Sequence, residues 1–208
     1  MANFPGKGSK RWRVNSCRRV RHKIKTTAVP GSLRGCAPGN QMQAAHPGNV
    51  KKLRIGWFTF TCCEDSSIMF LEMMNKSYFQ WKELLDFRYC KMLKSKNVLD
   101  ELDVAFVEGA ISSDRDKEKL LLIRSKARYL VAIGSCACTG GPSAQRNDFP
   151  DHIKVKIEPF LKKWDLYEKV LPLDKVVKVD GKVDGCPMVE PVFLKVLDKY
   201  LKEFKIIS

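Results

Sequence analysis

Hydrophobic patterning in this chain becomes regular only beyond residue 52. Residues 53–60 (LRIGWFTF) form a compact apolar and β-branched run, the pattern of a buried strand. A polar break at Glu64-Asp65-Ser66 follows. Ile68, Leu71, Met74 or Asn75, Tyr78, Trp81 and Leu85 then recur near helical spacing and predict a helix over 67–86, capped by Asp65 or Ser66. Residues 89–93 and, more strongly, 103–107 (DVAFV) predict strands. A helix is expected over 113–126, with Ser112 or Ser113 as its cap and Leu120, Leu121 and Ile123 buried. Residues 129–133 (YLVAI) form another apolar strand, ending at Gly134. A short helix near 157–164 and extended segments at 169–173 and 176–179 follow. The chain closes with a helix over 190–204, with Phe193, Leu194, Leu197, Leu201 and Phe204 on one face and Pro191 in its first turn. Strand, helix, strand, helix, strand is the order of an open, mostly parallel α/β sheet. Such sheets carry their sites at the carboxyl ends of the strands.

Charge divides the chain differently from its average. Residues 1–52 hold 12 of the 38 Lys and Arg and none of the 23 Asp and Glu. The net charge of +15 therefore belongs mostly to an arm, and the rest of the chain carries only +3. In residues 1–50 Gly and Pro recur and no hydrophobic period is sustained, which predicts a disordered basic arm ahead of a folded domain over 51–208. A solvated tail, or a stretch upstream of a native start near Met42 or later, accounts for the arm without a partner. Docking on an acidic partner or on nucleic acid is the alternative, and nucleic acid is not expected, because nucleic-acid-binding domains more often spread basic residues over the folded surface. Arg18-Arg19 is followed by Val20, Arg21, His22 and Lys23 with no apolar stretch, so it does not read as an export signal. No run approaches the length of a membrane-spanning helix. A cytoplasmic protein is expected, associated with a membrane through partners if at all. With 44% hydrophobic residues, the chain can build a core without disulfides.

Eight cysteines then change the picture. Cys62 and Cys63 sit beyond the first strand, Cys136 beyond the strand 129–133, and Cys186 beyond a further extended segment. Three loops thus bring four thiols to one edge of the sheet. Thiolate is a soft ligand, which favours an iron–sulfur cluster or zinc. Structural zinc sites usually use short C-x2-4-C loops, and the chain has no C-x-x-C. Adjacent cysteines suit the corners of a larger object better than one small ion, and a cubane cluster offers four corners. Gly134, Gly140, Gly141 and Gly185 would let the backbone approach it. Zinc and coincidental buried cysteines remain as alternatives.

The segments TCCEDS, VEGAISS, GSCACTGG and DGCPM, in this order and spacing, resemble the small subunit of [NiFe] hydrogenases and its relative in respiratory complex I, the 20 kDa-type subunit. The resemblance covers about residues 52–205. It implies a flavodoxin-like domain with helices on both faces of the sheet, and one [4Fe-4S] cluster held by Cys62, Cys63, Cys136 and Cys186. Tandem cysteines are the complex I habit, whereas Val107-Glu108-Gly109-Ala110-Ile111 looks like the hydrogenase form of its motif, and the balance favours the hydrogenase side. Cys138 could substitute for Cys136 or be a small buried neighbour. Glu64 and Glu108 could serve a proton or tune the cluster, or cap a helix. Cys90 reads as core, and nothing places Cys17, Cys36, His22, His46 or His152 at the site.

The resemblance further implies that the nickel–iron centre sits in a separate large subunit. Nothing in this chain could supply it, and no G-x-G-x-x-G fingerprint for a nicotinamide cofactor is present. The expectation is an electron-transfer oxidoreductase subunit with no catalytic residue of its own. It would relay electrons between that large subunit and a further electron-transfer subunit. The alternative is a complex I-like subunit that passes electrons to quinone.

Overall fold

The computed structural model describes residues 51–208, and the arm expected over residues 1–50 lies outside them. Five strands, β1 (Leu53–Thr59), β2 (Leu85–Cys90), β3 (Leu102–Glu108), β4 (Ala127–Ile133) and β5 (Gly181–Val183), form one sheet in the order β2-β1-β3-β4-β5. Every neighbouring pair is parallel. The helices are α1 (Asp65–Leu84), α2 (Asp114–Lys126), α3 (Gly134–Thr139), α4 (Asp151–Lys163) and α5 (Glu190–Glu203). This strand order is flavodoxin-like.

Alternation along the strands divides the interior into two layers. Ile55, Trp57, Val104, Phe106, Val131 and Ile133 pack with α1 and α5. Phe58, Ala105, Val107, Leu130 and Ala132 point the other way and pack with α2 and α3. Helices therefore cover both faces, as expected. β3 sits in the middle and is buried along its whole length.

Several sequence expectations are corrected. Helix α1 ends at Leu84 and runs directly into β2, because Leu85 is buried where it pairs with Leu53. Its inner face is Phe70, Met73, Met74 and Trp81, while Ile68 and Tyr78 are exposed. Apolar residues surround this helix, so its period was ambiguous; stacking of Phe70 on Trp57, with centroids 4.3 Å apart, sets the rotation. Neither Asp65 nor Ser66 is its cap. Glu64 holds that position in a left-handed conformation (φ 62) and makes no side-chain cap hydrogen bond. Helix α2 is capped by Ser113, whose hydroxyl accepts from the amide of Asp116, but Leu121 is exposed.

The segments at 169–173 and 176–179 are not strands. Leu171 makes one antiparallel bridge to Ile111, and Leu173–Lys175 is a 3-10 turn. The fifth strand is the short β5. Helix α4 begins six residues earlier than expected, at Asp151, and buries none of its residues. The short α3 occupies GSCACT, which carries no helical hydrophobic period.

Candidate metal centre

The chain order reverses between β1 and β3, and at the carboxyl ends of β1, β3, β4 and β5 there is one small concavity. Its free volume is about 10 Å³, far below the roughly 300 Å³ at which drug-sized ligand sites begin. Cys62, Cys63, Cys136 and Cys186 all line it. Cys62 is half-buried and packs with Cys136, Ala110 and Val170, whereas Cys63 and Cys186 are exposed at the mouth. The adjacent cysteines thus differ in burial, one inward and one at the surface.

Three segments carry these thiols, and polar side chains tie them together. Thr61 pairs with Ala110, anchoring the Cys62-Cys63 loop to the end of β3. The Ser135 amide donates to the Gly185 carbonyl at 2.7 Å. Asp184 accepts from the Ser135 hydroxyl at 2.8 Å and from the Gly185 amide at 2.7 Å. These bonds hold the Cys186 loop to α3. The Met188 amide donates to the Ser66 hydroxyl at 3.2 Å, which fixes the same loop to the start of α1.

Glu108 resolves the missing cap of α1. Its carboxylate is 3% exposed and accepts from the amides of Ser66 (3.0 Å) and Ser67 (3.1 Å) and from the Ser67 hydroxyl (2.6 Å). A residue at the end of β3 therefore satisfies the free amides at the start of α1. Burial raises the Glu108 carboxyl above its ordinary range, and the bonds from Ser66 and Ser67 oppose that rise. The Ser67 hydroxyl also accepts from the Trp57 indole at 2.9 Å, which links the rim to the core.

Two glycines let the backbone close around the pocket. Gly134 has φ 77, and a Cβ there would lie 2.8 Å from the Ser66 hydroxyl oxygen. Gly185 has φ 117, and a Cβ would meet the Pro187 carbonyl oxygen at 2.5 Å. Both line the concavity.

Two of these thiols, Cys62 and Cys186, are raised above the ordinary thiol value. Burial pushes Cys62 up to about 12, with further contributions from the Glu108 carboxylate and Cys136. Cys186, although exposed, is raised by surrounding atoms and then by Cys63 and Cys136. Cys62 and Cys186 thus disfavour their own ionisation, and a thiophilic cation bound there would offset this and release their protons. Among the described residues, no three His, Cys, Asp or Glu side chains close around a single point as one metal ion requires. The four thiols ring the concavity instead.

Other sequence candidates fall outside the lining. Cys138 is buried on the opposite side of α3, with its thiol 3.7 Å from the Ala132 carbonyl. Burial pushes it up to about 11. Cys90 is core, as expected. Gly140 caps the carboxyl end of α3 (φ 92) and Gly141 meets no crowding, so neither admits a ligand to the pocket. Glu64 is exposed and His152 lies exposed on α4; Cys17, Cys36, His22 and His46 lie outside the described residues. Sequence reasoning weighed Ser66 only as a helix cap and missed Ser67, Ser135 and Asp184, although their place beside the cysteine motifs was a signal.

Known proteins share this architecture. The chain is similar to a subunit of the F420-non-reducing hydrogenase of Methanothermobacter marburgensis, 27% identical over 74% of this chain and 54% of the relative. It is also similar to the delta subunit of the NAD-reducing hydrogenase HoxS of Cupriavidus necator, 26% identical over 77% of this chain and 85% of the relative. It thus spans about half the length of the first relative and most of the second. A solved NAD+-reducing [NiFe]-hydrogenase in the H2-reduced state contains a chain with a TM-score of 0.65 and 26% identity, aligned over 74% of this chain and 93% of that one. The [NiFeSe] hydrogenase of Desulfovibrio vulgaris Hildenborough shares the fold, with a TM-score of 0.54 and 12% identity over 71% of this chain and 59% of that one. The family pattern of the NADH ubiquinone oxidoreductase 20 kDa subunit matches residues 62–200, from the first cysteine of the rim into the last helix. The chain belongs to the NADH ubiquinone oxidoreductase 20 kDa subunit family.

Proposed function

We propose that this chain is the electron-transfer small subunit of a [NiFe]-hydrogenase-type complex, with residues 51–208 forming a domain that holds one [4Fe-4S] cluster. The observation that carries this reading is the convergence of Cys62, Cys63, Cys136 and Cys186, from three separate segments, on one concavity at the switch point of the sheet. Four thiols spaced around a pocket suit the corners of a cubane. Cys62 and Cys136 would hold its buried side and Cys63 and Cys186 its open side. When bound, such a cluster supplies a one-electron relay. The chain's own residues position it: Glu108 fixes the start of α1, Asp184 fixes the Cys186 loop, and Gly134 and Gly185 keep side chains out of the space.

The hydrogenase assignment draws on the similar hydrogenase subunits of Methanothermobacter and Cupriavidus. In this reading a large subunit carries the nickel–iron centre and covers the open side of the concavity, and a further redox subunit takes or supplies the electrons. Exposed apolar side chains beside the site support a docked partner: Ile68 in the first turn of α1, and Val189 and Val192 just beyond Cys186. Among the described residues, no helix is long and apolar enough to cross a membrane. The complex is proposed to be cytoplasmic, with any membrane attachment through partners, and residues 1–50 are proposed to be a basic arm outside the cluster domain. The second reading, a complex I-like subunit that delivers electrons to quinone, is favoured by the tandem cysteines and by the family itself.

Anaerobic co-expression of the full chain with its large subunit tests the assignment. The hydrogenase reading expects about four irons and four sulfides on this chain, together with nickel in the complex. Iron and sulfide without nickel, with quinone reduction by the complex, would replace it with the second reading. A stable, cluster-free monomer under these conditions would overturn both.

A further inference from the structure

Among the described residues, the Ser143 side chain lies within hydrogen-bonding distance of the Cys136 thiol. The Ser143 hydroxyl lies 3.3 Å from Cys136 Sγ and 3.1 Å from the Thr61 carbonyl oxygen. It is the first residue of a 3-10 turn, Ser143–Asp148, that is firmly held. The Ala144 amide donates to the Gly140 carbonyl at 2.7 Å. The Asn147 side chain pairs with both backbone groups of Val170, at 2.9 and 2.7 Å. The Arg146 guanidinium donates to the Tyr167 carbonyl at 2.6 Å. The backbone therefore keeps this hydroxyl beside the sulfur.

A serine hydroxyl carries one proton and can donate it to one acceptor at a time. While Cys136 is a thiol, its S–H can point to Ser143 Oγ, and Ser143 can donate to Thr61. A liganding thiolate has no proton and can only accept. The contact at 3.3 Å then holds only if the hydroxyl turns and donates to the sulfur. That turn leaves no orphan, because the Thr61 carbonyl also accepts from the Ala110 amide at 2.9 Å. An acceptor left empty would be destabilising, and here the second donor removes that cost.

We propose that Ser143 is a tuning residue: its hydroxyl donates a hydrogen bond to the liganding sulfur of Cys136 and so raises the reduction potential of the cluster. The inference rests on the cluster reading above and adds to it a specific residue outside the four cysteines. The physical basis is charge. Reduction adds an electron to the cluster and its thiolates, and a donor aimed at a ligand sulfur stabilises the more negative state more. Ser143 touches no reacting substrate; it acts through Cys136.

The test is an EPR-monitored redox titration of the anaerobically purified full chain, in its complex, as wild type, Ser143→Ala and Ser143→Thr, with iron and sulfide measured on each. The expected result is equal iron and sulfide in all three. Ser143→Ala shifts to more negative potential, and Ser143→Thr, which retains the hydroxyl, stays nearer the wild-type value. Coincident potentials for wild type and Ser143→Ala, with full iron in both, would overturn the tuning role and leave the cluster reading intact. Loss of iron from Ser143→Ala alone would also overturn it, by assigning the hydroxyl a structural role. Absence of iron and sulfide from all three, wild type included, would remove the cluster reading and this inference with it.

Discussion

The layer beneath α1 and α5 and the rim that carries the thiols are built from opposite materials, although one turn of α1 separates them. The layer is aromatic. Trp57, Phe70, Phe106 and Phe193 pack with centroids between 4.3 and 6.0 Å, in stacked, tilted and edge arrangements. The rim is polar: Glu108, Ser66, Ser67, Ser135 and Asp184 hold three loops together by hydrogen bonds. Non-directional packing stabilises the sheet without fixing any atom at its edge. Directional bonds instead fix the loops that carry the sulfur atoms. One residue joins the two regimes, since Ser67 accepts from Trp57 and donates to Glu108.

The contrast is broken most strongly from the core. Phe193 is fully buried against Trp57, Phe70 and Phe106, so Phe193→Ala should destabilise the domain by about 3–5 kcal/mol in urea unfolding. Iron bound per folded chain should not change. A variant that kept full stability but lost iron would mean that the layer shapes the site directly.

Glu108→Ala comes next. It strands the buried amides of Ser66 and Ser67 and should cost about 1–3 kcal/mol. Unlike the core variant, it should also lower the iron retained per folded chain under chelator challenge, because the Cys62-Cys63 loop enters α1 through these amides. Equal iron retention in Glu108→Ala and wild type would remove the distinction between the two regions.

The smallest effect belongs to Asp184. Its bonds from Ser135 and Gly185 hold its carboxyl below the usual aspartate range. A lowered folded-state pKa means that the contribution is complete above the unfolded value of about 3.9 and is lost as pH falls through the folded value. Asp184→Asn should therefore lose about 0.5–1.5 kcal/mol near neutral pH, and the difference from wild type should shrink in acid. A difference that is constant from neutral pH down to about pH 3, below the unfolded value, would show that the tie does not depend on the charge.

Much of this arrangement was legible in the sequence where one physical rule dominated. Strands β1, β3 and β4 are continuous apolar runs because both faces are covered, and α5 has a single apolar face. The rule failed where signals conflicted. Apolar residues on all sides of α1 concealed its inner face, and the three-residue β5 is too short to show alternation. The four cysteines of the lining were readable from their loops. The cap made by Glu108 was left open between two roles, since 42 positions separate it from Ser66 and only folding brings them together. Ser143 had no local pattern to mark it. Its contact with Cys136 depends on how the turn after α3 folds back.

The central claim is that four thiols from three segments grip one iron–sulfur object. Its most direct measurement is iron and sulfide content after anaerobic purification of the full chain in its complex, with each described cysteine changed to serine in turn. The account predicts a sharp loss for Cys62→Ser, Cys63→Ser, Cys136→Ser and Cys186→Ser, with content retained in Cys90→Ser and Cys138→Ser variants that fold. Full iron and sulfide in a folded quadruple variant lacking Cys62, Cys63, Cys136 and Cys186 would contradict it.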